Sequence, residues 1–187
     1  MSGQRDLPQE ILQVRNAAER VFSPEQIAAA VKTMAGRIAA RIGDRNPLLL
    51  GVMVGGVVPL GLLLTHLDFP LEVDYIHATR YRGATRGGVL HWLRDTPASV
   101  AGRCVLVVDD VLDEGHTLAA IRDQLLGRGA AEVLTAVLVE KRLPRQDSIP
   151  HADFAALECE DRYLFGYGMD YRGYLRNAPG VFAVASQ

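Results

Sequence analysis

The chain has 187 residues, 20 Lys and Arg against 22 Asp and Glu, and a formal net charge of −2. That length fits one compact domain, and 49% hydrophobic with 22% charged residues argue against disorder. The balanced charge argues against a dedicated nucleic-acid-binding protein, which normally carries a basic excess.

The first clear helix is predicted to begin at Ser23-Pro24, where serine can cap the helix and proline can occupy its first turn. Gln26 is placed to complete a capping box. Apolar residues then recur at helical spacing up to Gly43, which can end the helix: Ile27, Val31, Met34, Ile38 and Ile42. Residues 48–54 form an apolar run of strand length, which ends at two glycines and leads into a helix predicted over 57–67.

Further strands are predicted over 73–78, 103–109 and 133–139, with a helix over 117–126. A loop containing Pro144 and Pro150 follows the last of these strands. Strands that are apolar on both faces and alternate with helices indicate an α/β fold with an open, mainly parallel twisted sheet flanked by helices. Such sheets bind ligands beyond the carboxyl ends of their strands, so the residues that follow each strand are the candidates for chemistry.

The strongest candidates are two adjacent carboxylates, Asp109 and Asp110, which end an apolar strand and precede a short loop and a helix. A helix N-terminus favours phosphate, Gly115 allows close backbone approach, and the Thr117 hydroxyl can add a hydrogen bond. The alternative is structural, with the two acids capping the turn and Thr117 capping the helix. Signalling domains that accept a phosphoryl group also pair two acids, but normally on their first strand.

The segment 105–117 resembles the phosphoribosyl-pyrophosphate signature of type I phosphoribosyltransferases, and most resembles their hypoxanthine-guanine members. The resemblance implies Mg²⁺-dependent transfer of 5-phosphoribosyl from phosphoribosyl pyrophosphate to hypoxanthine or guanine, giving IMP or GMP and pyrophosphate. It implies that Asp109 and Asp110 face the ribose hydroxyls and that Asp113 is the general acid/base near purine N7. The loop that cradles the 5′-phosphate would be Asp113, Glu114, Gly115, His116 and Thr117.

A second block, residues 139–142 and 161–171, resembles the purine-binding part of the same enzymes. By this resemblance Lys141 contacts the purine 6-oxo group, Tyr163 stacks on the base, and the backbone of Leu164 bonds its edge. Taken alone, Lys141 is more typical of a solvated charge, and Tyr163 of a half-buried core aromatic.

The resemblance also implies that Asp170, with Asp109 and Asp110, holds Mg²⁺, and that Arg176 contacts pyrophosphate. Asp170 and Arg176 could instead form a surface ion pair, which would contribute little to stability.

Two other loops match the family in position. Val54, Gly55 and Gly56 resemble the pyrophosphate-binding loop, although many relatives carry lysine where this chain has Val54, so the contact must come from backbone N–H groups. Residues 79–88 resemble the flexible loop that closes over the site; its candidates for contact with the polyanionic substrate are Arg80, Tyr81 and Arg82. A strand-to-helix turn and a solvated basic loop are the plain alternatives.

The phosphate loop departs from the family at Glu114 and His116. A carboxylate inside a phosphate cradle is repulsive, so we expect Glu114 to point outward and contribute only its N–H. A protonated His116 would strengthen phosphate binding.

A single domain is expected over 1–187, with an N-terminal helical and hood segment (1–47), a core (48–140), and a purine-binding hood with C-terminal strands (141–187). We expect a homodimer or homotetramer with small-molecule substrates and no nucleic-acid or membrane partner. The alternative function is a non-catalytic regulator that senses phosphoribosyl pyrophosphate on the same fold; such proteins often lack an acid at the position of Asp113.

No apolar run approaches the ~20 residues that span a bilayer, and the first 20 residues are too charged for a signal peptide. Cys104 and Cys159 lie in apolar or strand-like segments, which favours buried thiols over a disulfide or a metal pair. We therefore expect a cytoplasmic protein.

Overall fold

The computed structural model describes residues 8–80, 90–95, 100–145 and 148–185, and the side chains of all of these except 79–80 and 90–92. Along these residues the elements are α1 (Gln9–Ala17), β1 (Glu19–Phe22), α2 (Pro24–Ile42), β2 (Leu48–Met53), α3 (Val57–Leu64), β3 (Glu72–Arg80), β4 (Leu90–Arg94), β5 (Cys104–Leu112), α4 (His116–Gly127), β6 (Glu132–Arg142), β7 (Phe154–Glu160), β8 (Leu164–Phe165) and β9 (Val181–Ala183).

Two sheets organise these elements. The main sheet has the order β4-β3-β2-β5-β6-β7, and its neighbouring strands run parallel except for the antiparallel β3–β4 pair. A smaller antiparallel sheet, β1-β9-β8, joins the N- and C-terminal parts of the chain. The expected α/β fold with a mainly parallel sheet and a small hood is therefore confirmed.

The core lies on both faces of the main sheet, because successive side chains of a strand point to opposite sides. Val105 and Val107 pack in the cluster that contains the α4 residues Leu118, Ile121 and Leu125. Their neighbours on β5, Leu106 and Val108, pack in the cluster formed with α2 and α3, which includes Met34, Ile38, Leu60 and Leu63. This double burial explains why β2, β5 and β6 are continuous apolar runs.

The predicted helix N-terminus at Ser23 is confirmed. The Gln26 amide donates to Ser23 Oγ at 3.3 Å, and the Ser23 amide donates to Gln26 Oε1 at 2.9 Å, so both halves of the capping box form. The helix then buries Ile27, Val31 and Ile38. None of the described helices is both long and apolar enough to cross a membrane.

The structure corrects several predicted elements, and strands β3 and β6 run to Arg80 and Arg142 rather than to 78 and 139. Helix α3 ends at Leu64 rather than at 67, and β5 runs on past Asp109 to Leu112 because its pairing with β6 continues to Glu140. Residues 154–160, assigned to no element from the sequence, form the edge strand β7, whose mixed burial hides the apolar pattern of an interior strand. Cys104 and Cys159 are buried free thiols, as expected.

Replacing Ser23 by alanine should destabilise the fold, because the Gln26 amide loses its side-chain acceptor at the start of the helix that covers the sheet. We expect a cost of about 1 kcal/mol, or a fall of roughly 2–4 °C in the midpoint of thermal unfolding. Ser23→Gly is the matched control and should cost only a few tenths of that free energy. Equal melting temperatures for Ser23→Ala and the wild type would contradict the role of the cap.

Candidate active site

The acid pair lies inside β5, near its carboxyl end. Asp110 is 9% exposed, Asp109 is partly buried, and the Asp110 amide donates to Asp109 Oδ1 at 2.8 Å. The Asp110 carboxylate lies against the backbone of Gly55, where any Cβ would collide with it. Only glycine therefore allows the loop after β2, which contains a cis peptide between Met53 and Val54, to approach the acids so closely.

Among the described residues, Arg176 is the cation that lies beside the acid pair. Burial, and next the negative charge of Asp110, raise the pKa of Asp109 well above its usual range. Burial also raises the pKa of Asp110, but the hydrogen bond with Asp109 and the guanidinium of Arg176 oppose that rise. Arg176 Nη1 is 3.9 Å from Asp110 Oδ2, beyond hydrogen-bond distance. The site therefore favours a ligand that brings hydroxyl donors or a cation.

The phosphate loop connects β5 to α4 through a left-handed glycine. Gly115 has φ 78°, and a Cβ there would stand 2.7 Å from the Ile149 carbonyl oxygen. Helix α4 begins at His116, so the alternative that Thr117 caps it is wrong. Within the described part of the chain no side chain caps α4, which leaves N–H groups of its first turn for an anion.

Lys141 is buried rather than solvated. It is 8% exposed, and its Nζ lies 3.1 Å from both Asp113 Oδ2 and Asp161 Oδ1. The alternative of a free surface charge is therefore wrong. The ion pair with Asp113 joins the end of β6 to the phosphate loop.

Tyr163 is 49% exposed and belongs to none of the buried hydrophobic clusters of the described residues, so it is a surface aromatic rather than a core one. Its ring makes an edge-to-face contact with Tyr171, with centroids 5.6 Å apart. The next residue, Leu164, is buried in β8 and anchors the segment in the hood sheet. The described geometry holds the Tyr163 ring at the surface of the cleft.

One cleft of about 250 Å³ collects six of the predicted site residues, together with Val111 and Met169; the six are Asp110, Asp113, Lys141, Tyr163, Leu164 and Asp170. Asp109, Arg176, residues 54–56 and residues 114–117 of the phosphate loop lie outside this lining.

Asp170 and Arg176 do form an ion pair, with 2.6 Å between Oδ1 and Nη2. The pair is not an isolated surface contact. The Gly173 amide donates to Asp170 Oδ2 at 2.7 Å, and Arg176 donates to the Gly168 carbonyl at 2.6 Å while facing Asp110. It therefore joins the loop after β8 to the acid pair.

The remaining predicted residues belong to the flexible-loop candidates and to the phosphate loop. Tyr81 and Arg82 lie outside the described residues, and Arg80 is described only by its backbone at the end of β3. Glu114 is exposed, and its carbonyl accepts from Ser148 Oγ at 2.7 Å. The orientation of its carboxylate and the role of His116 stay predictions.

Sequence reasoning assigned no role to Asp161, although it begins the second block. Asp161 lies 20 residues after Lys141 but reaches its Nζ, because β6 and β7 run side by side. The sequence shows an acid two residues before Tyr163, but only the pairing of β6 with β7 shows that Lys141 is its partner.

The carboxylates fit magnesium in its usual protein environment. In the described ranges no three Asp, Glu, His or Cys side chains cluster as a metal site. Mg²⁺ commonly binds through one or two carboxylates, with waters and substrate phosphates completing its shell. Asp109, Asp110 and Asp170 offer such oxygens, so they fit a Mg²⁺ ion that arrives with a phosphorylated substrate.

Replacing Asp109 by asparagine should stabilise the protein at neutral pH. Because the pKa of Asp109 is raised by folding, its charged form destabilises the native state above the ordinary aspartate value of about 3.9. We expect the unfolding midpoint of Asp109→Asn to rise by a few degrees at about pH 8, since roughly 2–4 °C corresponds to 1 kcal/mol at this size. The gain should shrink as pH falls and vanish near about pH 3.

Thermal unfolding over that pH range measures the effect, and Asp123→Asn, on the exposed side of α4, is the control. A lower midpoint for Asp109→Asn at about pH 8 would contradict the repulsion between the two acids.

The chain was compared with known proteins. The profile of the phosphoribosyl transferase domain matches residues 18–172. The hypoxanthine-guanine phosphoribosyltransferase of Streptococcus pneumoniae is 32% identical over 162 residues, which cover 86% of this chain and 89% of that protein. The hypoxanthine-guanine-xanthine phosphoribosyltransferase of Tritrichomonas foetus is 33% identical over 164 residues, covering 87% and 90%.

A solved structure shares the fold. The crystal structure of a hypoxanthine phosphoribosyltransferase from Staphylococcus aureus has a TM-score of 0.85 with this chain at 24% identity, and the match covers 91% of this chain and 94% of that one. Because the family profile spans most of the sequence and the relatives match along nearly their whole length, this chain belongs to the phosphoribosyl transferase family, alongside the hypoxanthine-guanine phosphoribosyltransferases.

Proposed function

We propose that this enzyme transfers the 5-phosphoribosyl group of phosphoribosyl pyrophosphate to hypoxanthine or guanine and thereby serves purine salvage. The observation that carries the proposal is the cleft in which Asp110, the Asp113–Lys141 ion pair and the exposed ring of Tyr163 line one space. The names of the relatives support the same chemistry.

The acid pair suits the sugar. The carboxylates of Asp109 and Asp110 can accept hydrogen bonds from the ribose 2′- and 3′-hydroxyls, which relieves their repulsion without protonation. Displacement of pyrophosphate develops oxocarbenium-like positive charge at the anomeric carbon. Carboxylates already buried beside the sugar stabilise that charge without rearranging.

The phosphate loop suits the 5′-phosphate. Gly115 places the backbone in a left-handed turn directly before α4, and the first-turn N–H groups of the helix lack a side-chain cap within the described residues. Backbone donors and the helix macrodipole then act on the same anion. The phosphate would hold the sugar in place while its anomeric carbon reacts.

The Lys141–Asp113 pair suits a 6-oxopurine. Nζ and Oδ2, 3.1 Å apart, present a donor and an acceptor side by side. The 6-oxo oxygen and N7 lie on the same edge of the base, so Lys141 can donate to the oxygen while Asp113 takes the N7 proton as N9 attacks. Adenine carries an amino donor at position 6, which would face the Lys141 ammonium unfavourably.

The leaving group would meet the other side of the site. Arg176 and the backbone N–H groups of Val54, Gly55 and Gly56 are the proposed pyrophosphate contacts. Asp109, Asp110 or Asp170, together with substrate oxygens, would hold Mg²⁺, and the ion would neutralise part of the charge on the pyrophosphate. These assignments, and closure of the loop with Arg80, Tyr81 and Arg82, belong to the proposal.

The proposal includes a cytoplasmic, homo-oligomeric protein with small-molecule substrates. Free buried thiols at Cys104 and Cys159 support a reducing location. Apolar side chains of α3, β3 and β4 that are 39–57% exposed support self-association; they are Val57, Val73, Tyr75 and Leu93.

With Mg²⁺ and phosphoribosyl pyrophosphate, the protein should release pyrophosphate on addition of hypoxanthine or guanine and far less on addition of adenine. A coupled pyrophosphate assay across hypoxanthine, guanine, xanthine and adenine measures this. Because a site built to donate to an oxygen rejects a donor in its place, we expect discrimination against adenine of at least about 100-fold in kcat/KM. No turnover with any purine would contradict the proposed activity.

Asp113→Asn should lower kcat far more than it weakens binding of phosphoribosyl pyrophosphate, because the amide cannot accept the N7 proton. We expect a loss of about 10²–10⁴-fold in kcat, measured by steady-state kinetics beside calorimetric binding. Asp161→Asn is the matched control, since it removes the other carboxylate on Lys141 but no group near N7. Equal losses in kcat for the two variants would argue against the acid/base role.

Replacing Tyr163 by alanine should raise the KM for purine about tenfold and leave the KM for phosphoribosyl pyrophosphate nearly unchanged, because one stacking face is lost. Tyr163→Phe keeps the ring and should behave like the wild type. An unchanged purine KM in the alanine variant would remove Tyr163 from the base-binding site.

A further inference from the structure

A buried arginine outside the predicted site connects β5, which carries the acid pair, with β6, which carries Lys141. The side chain of Arg145, in the loop after β6, is 2% exposed, and its guanidinium donates to four backbone carbonyls. Nε donates to Asp113 at 2.6 Å, and Nη1 donates to Pro150 at 2.9 Å. Nη2 donates to Leu112 at 2.9 Å and to Lys141 at 2.6 Å.

Most of the hydrogen-bond donors of the guanidinium are engaged. It has five N–H donors, of which four are used by these carbonyls. Glu140 balances its charge, with Oε1 3.6 Å from Nη1. Glu140 is itself buried and held by the Ala152 amide at 3.1 Å and by His151 Nδ1 at 2.7 Å. The network fixes Arg145 in one orientation.

Three of the four carbonyls belong to segments of the predicted site. Leu112 and Asp113 lead from the acid pair into the phosphate loop, and Lys141 lies near the end of β6. The same guanidinium therefore holds the backbone of the residue proposed to take the N7 proton and of the residue proposed to contact the 6-oxo group. The side chains of these two residues also contact each other, with 3.1 Å between Lys141 Nζ and Asp113 Oδ2.

A second contact joins the same two segments. Ser148 Oγ donates to the Glu114 carbonyl at 2.7 Å. The Ile149 carbonyl lies so close to Gly115 that a Cβ would stand 2.7 Å from it. Arg145, Ser148 and Ile149 thus lie against three successive residues of the phosphate loop, from Asp113 to Gly115.

We propose that Arg145 is a positioning residue that holds Asp113 and Lys141 in register, so that one carboxylate and one ammonium meet the purine edge together. This inference rests on the proposed function. Asp113 is exposed on a loop, and its backbone contact with Arg145 limits the direction in which its carboxylate points. Lysine cannot replace this arginine, because one ammonium has three donors at a single point whereas the guanidinium spreads five over a rigid plane.

The test compares Arg145→Lys with Arg142→Lys. Arg142 is the matched control, because it lies beside Lys141 but its side chain is 60% exposed and pairs with Glu158 and Glu160. Amide hydrogen exchange without substrate should be at least about tenfold faster in Arg145→Lys for residues 112–117 and unchanged for residues 104–108, while Arg142→Lys should match the wild type. Unchanged exchange in the phosphate loop of Arg145→Lys would overturn the proposal.

Kinetics separate positioning from simple anchoring. We expect Arg145→Lys to lower kcat at least about tenfold in the wild-type background. When Asp113→Asn is already present, the same change should lower kcat less than about threefold, because a residue that acts through the Asp113 carboxylate has no effect once that carboxylate is gone. Arg145→Lys should also raise the KM for purine, because the backbone of Lys141 loses its support from Nη2. That rise should persist in the double variant, since Asp113→Asn does not restore the support. Equal fold losses of kcat in both backgrounds would overturn the role.

The role of Arg145 can be tested even if the protein proves inactive or Arg145→Lys does not fold. If the wild type turned over no purine, the proposed function would fail, while the exchange experiment would still decide whether Arg145 orders the loop. If Arg145→Lys did not fold, Ser148→Ala removes the second contact at a partly buried position. That variant should raise the KM for phosphoribosyl pyrophosphate severalfold and speed exchange at residues 114–117, and wild-type values for both would overturn the proposal.

Discussion

The repulsion between two neighbouring carboxylates, those of Asp109 and Asp110, is the constraint around which this site is arranged. They lie on a strand whose preceding residues are buried on both faces, and among the described residues the guanidinium that faces them is that of Arg176, 3.9 Å from Asp110. Burial raises the pKa of both groups, and the charge of Asp110 adds to the rise at Asp109. The free protein therefore holds an unfavourable arrangement that ribose hydroxyls and a magnesium ion would relieve.

The other parts of the site take their positions from that strand. The loop after β2 reaches the acids only because Gly55 has no side chain. The phosphate loop leaves β5 three residues after Asp110, and Lys141 lies near the end of the adjacent strand β6. The parallel sheet brings these strand ends together on one edge, where the hood adds Tyr163. A rigid core thus carries loops that supply the chemistry.

Much of this framework is predictable from the sequence because its signals are local. Neighbouring residues alone are enough to recognise the capping box at Ser23, the apolar run of β5, and the acid pair near the carboxyl end of that strand. The contacts of Lys141 with Asp161, and of Arg145 with Asp113, join residues 20 and 32 apart along the chain, and no local pattern encodes them. The purine-binding roles came from resemblance to a family, since an isolated lysine or tyrosine specifies no base.

The most direct test of the central claim is the binding of phosphoribosyl pyrophosphate by isothermal titration calorimetry, with and without Mg²⁺. The wild type should bind at least about tenfold more tightly with Mg²⁺, a difference of about 1.4 kcal/mol. The double variant Asp109→Asn, Asp110→Asn should lose that dependence and bind at least about tenfold more weakly than the wild type in Mg²⁺. Equal affinities for the two proteins in Mg²⁺ would contradict the claim that the acid pair receives the ribose and its metal.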